Sequence, residues 1–364
     1  MRAAVLHAVG QPFAVEQVEL QGPRANEVRV RVKAAGVCHS DWHFVCGDLS
    51  WPLPVVLGHE GAGVVEEVGR DVTSVAPGDH VVLLWKTSCG RCVVCQSGRP
   101  QLCDVGLSLR ASGKLNDGTS RLSLAGAPLN HLSGVSCFAE ELVCSEQSVM
   151  KVADDVPFEI VALIGCAVMT GAGAVMNTAR VRAGSSVLVI GAGGVGLSAI
   201  MAAHLVGARQ IIVADVRRSK LDLARDLGAT DVIDGSTEDV VETAKRLSGG
   251  GVDYAFEAIG LARTVEQAFG SLRRLGMAVA IGAARPDAFA RISAMDLVRQ
   301  ERILTGSSYG SSRPAVDVPI LIDLYRTGRL PLDRLLSRRY GLEEINSAFA
   351  ALLAGEVARS VLIP

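Results

Sequence analysis

The chain carries almost no excess charge of either sign. Its 364 residues include 36 Lys and Arg against 38 Asp and Glu, a formal net charge of −2, and neither sign clusters. This balance argues against nucleic acid or a membrane surface as a partner. No apolar run is expected to reach the length of about 18 residues that a membrane-spanning helix needs. The N-terminal residues also lack the pattern of a secretory signal. We expect a cytoplasmic protein that binds neither nucleic acid nor membrane.

Cysteine is missing from the last 198 residues, because all nine cysteines lie between Cys38 and Cys166. Six of the seven histidines precede residue 140, so the residue types that bind metals are concentrated in the first part of the chain. In a large intracellular protein, clustered cysteines indicate metal sites more often than disulfides. The chain length exceeds what one hydrophobic core usually serves, which predicts two domains.

The pattern of apolar segments changes along the chain. Residues 1–167 alternate short apolar stretches with Gly and Pro, which predicts a β-rich domain. Residues 168–308 alternate strands with helices, one of them at 262–275 (ARTVEQAFGSLRRL), which predicts a doubly wound parallel sheet. In residues 309–364, a last strand (ARSVLIP) is expected to rejoin the first domain. The polar stretch 108–123 is predicted to be a surface loop.

A glycine-rich turn follows the predicted strand SSVLVI and opens a helix. Its residues Gly191, Gly193, Gly194, Val195 and Gly196 satisfy G-x-G-x-x-G in the strand–turn–helix context that a dinucleotide requires. Gly191 permits the turn, Gly193 lets the backbone approach a pyrophosphate, and Gly196 allows close packing of helix on strand. A glycine turn that binds no nucleotide is the alternative.

The next predicted strand ends at Asp215, 19 residues after Gly196. A carboxylate there would bind the ribose hydroxyls and repel a 2′-phosphate, which favours NAD over NADP. Arg217 and Arg218 follow closely and weaken that preference. Lys220, in the next predicted helix, is a further candidate for cofactor binding.

Four cysteines lie within 15 residues, in the pattern Cys89-x2-Cys92-x2-Cys95-x7-Cys103. Four thiolates can fill the coordination shell of a tetrahedral ion and leave no position open for substrate. The spacing therefore predicts a structural zinc. An iron–sulfur cluster and disulfides are the alternatives.

Five motifs follow one another in a fixed order: GVCHSDWH (36–43), GHEGAGVVEEVG (58–69), the four cysteines, GC (165–166) and GAGGVG (191–196). Together they resemble the zinc-containing alcohol dehydrogenases of the medium-chain dehydrogenase/reductase superfamily. The resemblance runs nearly end to end. It implies an α/β fold with a GroES-like β-rich catalytic domain (1–167 and 309–364) and a Rossmann domain with a doubly wound parallel sheet (168–308) that binds NAD.

The resemblance assigns a catalytic zinc, the second zinc ion of the chain, to Cys38, His59 and Cys166. Asp41 matches the carboxylate that orients the histidine ligand, and Glu60 matches an acidic residue behind the metal. Two thiolates and one imidazole suit zinc, and three protein ligands leave the fourth position open.

The same resemblance implies hydride transfer from a zinc-bound alkoxide to NAD, with a proton relay through Ser40 and His43. His43 as a simple surface histidine is the alternative. His39 stands where relatives carry Arg or His facing the cofactor pyrophosphate, and a histidine there predicts looser cofactor binding. Arg359 matches a second pyrophosphate-contacting arginine, or else is solvated.

The substrate pocket is expected to be lined by Leu49, Trp85, Leu132 and Ala283. Such apolar walls predict a primary alcohol, aromatic or allylic in type, that is oxidised to its aldehyde and formed again in the reverse reaction. The alternatives are an S-(hydroxymethyl)glutathione (formaldehyde) dehydrogenase, a nicotinoprotein alcohol dehydrogenase with permanently bound NAD, and a non-enzymatic binding relative. A homodimer is expected, with a tetramer as the other possibility.

Overall fold

A computed structural model describes the backbone of residues 1–364 and every side chain except that of Arg110. The chain forms two units. The first consists of Met1–Cys166, Arg313–Arg326 and Leu332–Pro364, and the second consists of Ala167–Ser312 and Thr327–Pro331. The sequence pattern puts the first boundary one residue later.

The strands, in chain order, are β1 Arg2–Leu6, β2 Ala14–Gln17, β3 Glu19–Leu20, β4 Glu27–Val37, β5 Val55–Val56, β6 Gly61–Val68, β7 His80–Leu83, β8 Leu122–Leu124, β9 Ala127–Pro128, β10 Asn130–His131, β11 Glu141–Ser145, β12 Val149–Lys151, β13 Ser186–Ile190, β14 Gln210–Asp215, β15 Asp231–Asp234, β16 Val252–Glu257, β17 Leu272–Ala280, β18 Ile303–Gly306, β19 Leu336–Gly341 and β20 Arg359–Ile363. The helices are α1 His39–Val45, α2 Val93–Gln96, α3 Asp104–Ala111, α4 Phe158–Leu163, α5 Met169–Gly173, α6 Gly194–Leu205, α7 Arg218–Asp226, α8 Val240–Ser248, α9 Ala262–Gly270, α10 Ala294–Gln300, α11 Pro314–Arg326 and α12 Ile345–Ala354.

The first unit is built on a seven-stranded sheet in the order β12-β7-β6-β4-β20-β19, with β11 also paired to β4. The predicted return of the C-terminal strand is confirmed, since Ser360 in β20 pairs antiparallel with Val37 in β4. Strand β4 (EVRVRVKAAGV) is the longest strand. Along its first half, buried valines alternate with more exposed charged residues, which is the pattern of a sheet that has one covered face. A four-stranded and a three-stranded sheet complete the unit.

The second unit contains six parallel strands in the order β15-β14-β13-β16-β17-β18. This is the strand order of a dinucleotide-binding doubly wound sheet, so the predicted fold class is confirmed. The predicted helix at 262–275 is too long. Helix α9 ends at Gly270, and Leu272 begins β17, where it is fully buried and pairs with Val252. Sheet pairing overrides the helical pattern of LRRL.

The expectation that no apolar segment is long enough to cross a membrane is wrong. Phe158–Ala179 forms one 22-residue helix from α4, α5 and the π-helical turns that follow each of them. By length and composition this helix could cross a membrane, but 83% of its most apolar window is buried inside the protein. A helix that is apolar on all sides suits such an internal position equally well.

The predicted loop at 108–123 is also partly wrong. Its first four residues complete α3, and Leu122 begins β8. The cysteine at position 103 caps α3 through its sulfur, which accepts a hydrogen bond from the Gly106 N–H, and this cap favours a helix.

Candidate active site and metal centres

Three segments bring Cys38, His59 and Cys166 together within the first unit. Cys38 follows β4 and precedes α1, His59 lies in the loop before β6, and Cys166 lies in the π-helical turn after α4. Their side chains are buried, and their ligand atoms, with one oxygen of Glu60, all lie within 4.8 Å of one another. The Cys166 Sγ atom is 3.4 Å from His59 Nε2. Ligands on one tetrahedral zinc are separated by about 3.3–3.8 Å, so the donor set fits this ion.

Asp41 fixes the orientation of the His59 ring. Its Oδ1 lies 3.1 Å from His59 Nδ1 and accepts a hydrogen bond, also 3.1 Å, from the Gly58 N–H. Burial raises the pKa of Asp41, and although burial opposes a charge on His59, Asp41 raises the pKa of His59 well above its usual range. With Nδ1–H donated to Asp41, Nε2 faces the thiols as a ligand.

The two thiols of this cluster cannot both ionise without a cation. Cys166 donates a hydrogen bond to the Cys38 sulfur, which lowers the pKa of Cys38 well below its usual range although burial opposes the charge. The same hydrogen bond and burial raise the pKa of Cys166 well above its usual range. Two thiolates in a buried site require a positive charge between them, and zinc would supply it.

Glu60 and Arg359 form a buried ion pair beside this cluster. Burial raises the pKa of Glu60 to about 7 although Arg359 opposes the shift. Glu60 Oε1 is buried and has no hydrogen-bond partner among the described residues. Arg359 is 3% exposed, so the idea of a solvated arginine is wrong. Its Nη2 contacts Glu60, while its predicted pyrophosphate contact stays a prediction.

The predicted relay residues lie on α1. Ser40 Oγ is 3.6 Å from Cys38 Sγ, which places the hydroxyl at the edge of the cluster. His43 Nδ1 is 3.1 Å from Asp48 Oδ2, and the His43 side chain is 20% exposed, so its role in the relay stays a prediction. His39, at the start of α1, is exposed.

Cys89, Cys92, Cys95 and Cys103 form a second cluster whose sulfur atoms all lie within 4.8 Å of one another. All nine cysteines are free, which removes disulfides as an alternative. The Cys92 and Cys103 sulfurs are 3.9 Å apart, close to the edge of a zinc tetrahedron. In a multi-iron cluster the cysteines bind different metal atoms, and their sulfurs stand further apart.

Backbone N–H groups already point at these sulfurs. Cys89 N–H donates to Cys103 Sγ at 3.2 Å, and Gly106 N–H donates to the same sulfur at 3.4 Å. Although burial opposes the charge, these bonds lower the pKa of Cys103 to about 6, and a hydrogen bond from the Cys95 N–H lowers that of Cys92. Burial and the neighbouring thiols raise the pKa of Cys95 to about 12. Four close sulfurs with fixed N–H donors suit a closed zinc site.

In the second unit, the glycine turn has the shape that a pyrophosphate needs. Gly191 has a φ of +96°, and a Cβ on Gly196 would lie 1.7 Å from the Gly191 carbonyl oxygen. A Cβ on Gly193 would meet no described heavy atom within 4 Å, so the turn is open at this residue. Gly194 begins α6, followed by Val195, and the helix presents its N-terminal N–H groups beside this open position.

Asp215 lies at the end of β14, next to the glycine turn. Its two carboxylate oxygens accept hydrogen bonds from the Ala192 N–H at 2.7 Å and the Arg217 N–H at 2.9 Å. The side chain of Arg218 turns to Asp222, 3.2 Å away, and Lys220 is half-buried in α7. The carboxylate is therefore fixed beside the glycine turn, and its contact with a ribose stays a prediction.

The four predicted pocket residues do not share one environment. Trp85 packs edge-on against the His59 ring, with centroids 5.4 Å apart. Leu132 is buried in the core of the first unit, and Leu49 is half-buried. Ala283 belongs to the second unit and is exposed. Trp85 is thus in direct contact with a side chain of the cluster.

A third group of side chains that could hold a metal ion is formed by His43, Cys46 and Asp48, and the sequence analysis did not predict it. The spacing H-x-x-C at the end of a short helix was the available signal, because residues three apart share a helix face.

The family comparisons agree with this geometry. The model for the alcohol dehydrogenase GroES-like domain matches residues 24–154, and the model for zinc-binding dehydrogenases matches residues 194–325. The chain is 39% identical to an S-(hydroxymethyl)glutathione dehydrogenase of Paracoccus denitrificans, over 100% of this chain and 99% of that protein. It is 38% identical to an NDMA-dependent alcohol dehydrogenase of Amycolatopsis methanolica, over 100% and 98%.

Among solved structures, benzyl alcohol dehydrogenase from Acinetobacter calcoaceticus matches with a TM-score of 0.95 and 36% identity, over 100% of this chain and 98% of that chain. The ordered motifs, the two-unit fold and these full-length similarities lead to one assignment. The chain belongs to the zinc-dependent alcohol dehydrogenases of the medium-chain dehydrogenase/reductase superfamily.

Proposed function

We propose that this protein oxidises small primary alcohols, aromatic or allylic ones among them, to aldehydes with NAD, and that each chain holds two zinc ions. The observation that carries the proposal is the buried set of Cys38, His59 and Cys166, with Asp41 bonded to the far nitrogen of the histidine. Zinc in this site would polarise the alcohol oxygen, and the nicotinamide would accept a hydride.

The protein's own side chains prepare the site for a neutral alcohol. With zinc bound, Cys38 and Cys166 would supply two negative charges, and Asp41 would keep His59 in the tautomer that binds a metal. Trp85 packs edge-on against the His59 ring and adds an apolar wall beside it. Ser40, whose hydroxyl lies near the Cys38 sulfur, would receive the alcohol proton, and His43, five residues after Cys38 on α1, would pass it toward solvent.

Two further functions have support from relatives. The S-(hydroxymethyl)glutathione dehydrogenase of P. denitrificans makes a glutathione adduct the second candidate substrate. A glutathione carboxylate needs a charged partner, whereas Leu49 and the exposed Leu107 are apolar.

The third candidate is an enzyme that keeps NAD bound and needs an external acceptor, suggested by the relative named for NDMA dependence. Purified protein of that kind would absorb as a reduced nicotinamide once alcohol alone is added.

A substrate panel with NAD tests the proposal. We expect kcat/KM for benzyl alcohol to exceed that for S-hydroxymethylglutathione by more than about tenfold, which corresponds to about 1.4 kcal/mol. Arg110, whose side chain lies outside the described part of the structure, is a cation near Leu107 in sequence and could bind a glutathione carboxylate. Because we propose that the protein does not select the glutathione adduct, Arg110→Ala should leave kcat/KM unchanged for both substrates. A preference for the glutathione adduct that Arg110→Ala abolishes would assign the protein to the second function.

A further inference from the structure

The side chains of His43, Cys46 and Asp48 form a ligand set of mixed chemistry outside the two zinc sites. One imidazole nitrogen, one sulfur and one carboxylate oxygen lie within 4.8 Å of one another. The distance between His43 Nδ1 and Asp48 Oδ2 is 3.1 Å. This is close to the separation of about 3.3 Å between nitrogen and oxygen ligands on one zinc ion.

The local backbone creates this arrangement. His43 and Cys46 are three residues apart and share a face at the end of α1. Gly47 then adopts a φ of +83°, which reverses the chain. The Leu49 N–H donates to the His43 carbonyl at 3.0 Å and closes the turn. The Asp48 side chain therefore lies beside the His43 ring. The three ligands are thus fixed by six consecutive residues.

The set is also open to ions in solution. Cys46 is exposed, whereas the other eight cysteines are buried or half-buried. The side chains of His43 and Asp48 are 20% and 25% exposed. Thiolate and imidazole ligands favour zinc among the common divalent ions, and three protein ligands leave a fourth position for water. We propose that His43, Cys46 and Asp48 form a third, inhibitory binding site for Zn²⁺.

The inhibitory effect rests on the proposed function of His43 in the relay. Binding releases the Cys46 thiol proton to solvent and occupies Nδ1 of His43. The imidazole then carries the cation on Nδ1 and a proton on Nε2, and it has no nitrogen left to accept another proton. Zinc at this site would therefore slow alcohol oxidation without displacing the zinc ions at the two cysteine clusters.

Equilibrium dialysis of the zinc-replete enzyme against added Zn²⁺ tests the site itself. Wild-type protein should gain one equivalent above its starting content, and Zn²⁺ should slow the reaction of Cys46 with a thiol reagent. Cys46→Ser and Asp48→Asn should each weaken the added binding by more than about tenfold. His7→Gln is the matched control, because it removes another exposed histidine–carboxylate pair, His7 Nε2 to Glu16 Oε2 at 2.6 Å.

Turnover is measured in the same samples, relative to each variant's own activity without added Zn²⁺. Inhibition in wild type and in His7→Gln, and its loss in Cys46→Ser, would support the proposal. No added equivalent, or an equivalent that both Cys46→Ser and Asp48→Asn retain, would overturn the site. Binding without inhibition would overturn the inhibitory role. Because binding is measured without substrate, failure of the site is distinct from failure of the proposed alcohol oxidation.

Discussion

Asp41 Oδ1 lies 3.1 Å from Nδ1 of His59, and both side chains are buried. The same oxygen accepts the Gly58 N–H, so the carboxylate cannot rotate without losing two hydrogen bonds. Its other oxygen is buried and has no hydrogen-bond partner among the described residues. This contact determines which histidine nitrogen faces Cys38 and Cys166, and thus whether the three residues can act together as metal ligands.

Asp41→Asn should weaken zinc binding at this site by about 10- to 100-fold, because the amide cannot raise the basicity of His59 as a carboxylate does. Zinc release to a coloured chelator measures the effect. Asp71→Asn, at an exposed carboxylate, is the control and should change nothing. Equal rates of release from wild type and Asp41→Asn would show that Asp41 does not support the ligand.

Asp215→Ser should reduce the preference for NAD over NADP. The carboxylate at the end of β14 would repel a 2′-phosphate, and serine removes that charge while keeping a hydrogen-bonding group. The ratio of kcat/KM for the two cofactors is the measurement. If wild type uses both cofactors equally well, Asp215 does not select the cofactor, and Arg217 or Arg218 becomes the candidate phosphate ligand.

His43→Gln should slow alcohol oxidation by about 100-fold below neutral pH, with recovery at high pH where hydroxide replaces the relay. Glutamine keeps the polarity and much of the size of the side chain but cannot carry a proton. A pH–rate profile measured from acid to alkaline pH gives the result. A profile with the same shape as that of wild type would remove His43 from the mechanism.

The sequence predicted the fold class and the ordered ligand motifs because glycine turns and cysteine spacing are local signals. The pairing of Leu272 with Val252 is not local, and it ended α9 earlier than the sequence pattern indicated. The contact of Arg359 with Glu60 joins residues 299 positions apart, so no spacing could reveal it. The ligand set at Cys46 needed the turn at Gly47, whose φ the sequence does not state.

Arg121→Met should destabilise the first unit by about 3–5 kcal/mol at neutral pH. Arg121 is 1% exposed, and its guanidinium bonds Glu27 at 2.6 Å and Asp117 at 2.5 Å. The variant leaves the Glu27 carboxylate buried without its cation. Urea unfolding measures the loss. Arg70→Met, at the exposed pair with Asp71, is the control and should cost less than about 1 kcal/mol.

The ion pair between Arg121 and Asp117 should make the free energy of unfolding depend on pH in the acid range. Although burial opposes its charge, the hydrogen bond from Arg121 holds the pKa of Asp117 below its usual range. Because this folded-state pKa lies below the unfolded value of about 3.9, the contribution of Asp117 is present above that value and is lost as pH falls through the folded pKa. The difference in the free energy of unfolding between wild type and Arg121→Met should therefore become smaller as the pH is lowered into that range. A difference independent of pH would contradict the role of Asp117.

Zinc content and alcohol-dependent NADH formation, measured together in wild type and in Cys38→Ala, test the central claim most directly. We expect two zinc ions per chain and NADH formation with benzyl alcohol in wild type. Cys38→Ala should keep the fold, lose about one zinc ion and form no NADH, because only the cluster with an open position is broken. Cys144→Ala, at a buried cysteine outside the ligand clusters, should retain both zinc ions and activity. A wild-type protein that is fully active without zinc, or a Cys38→Ala variant that still oxidises alcohol, would contradict the account.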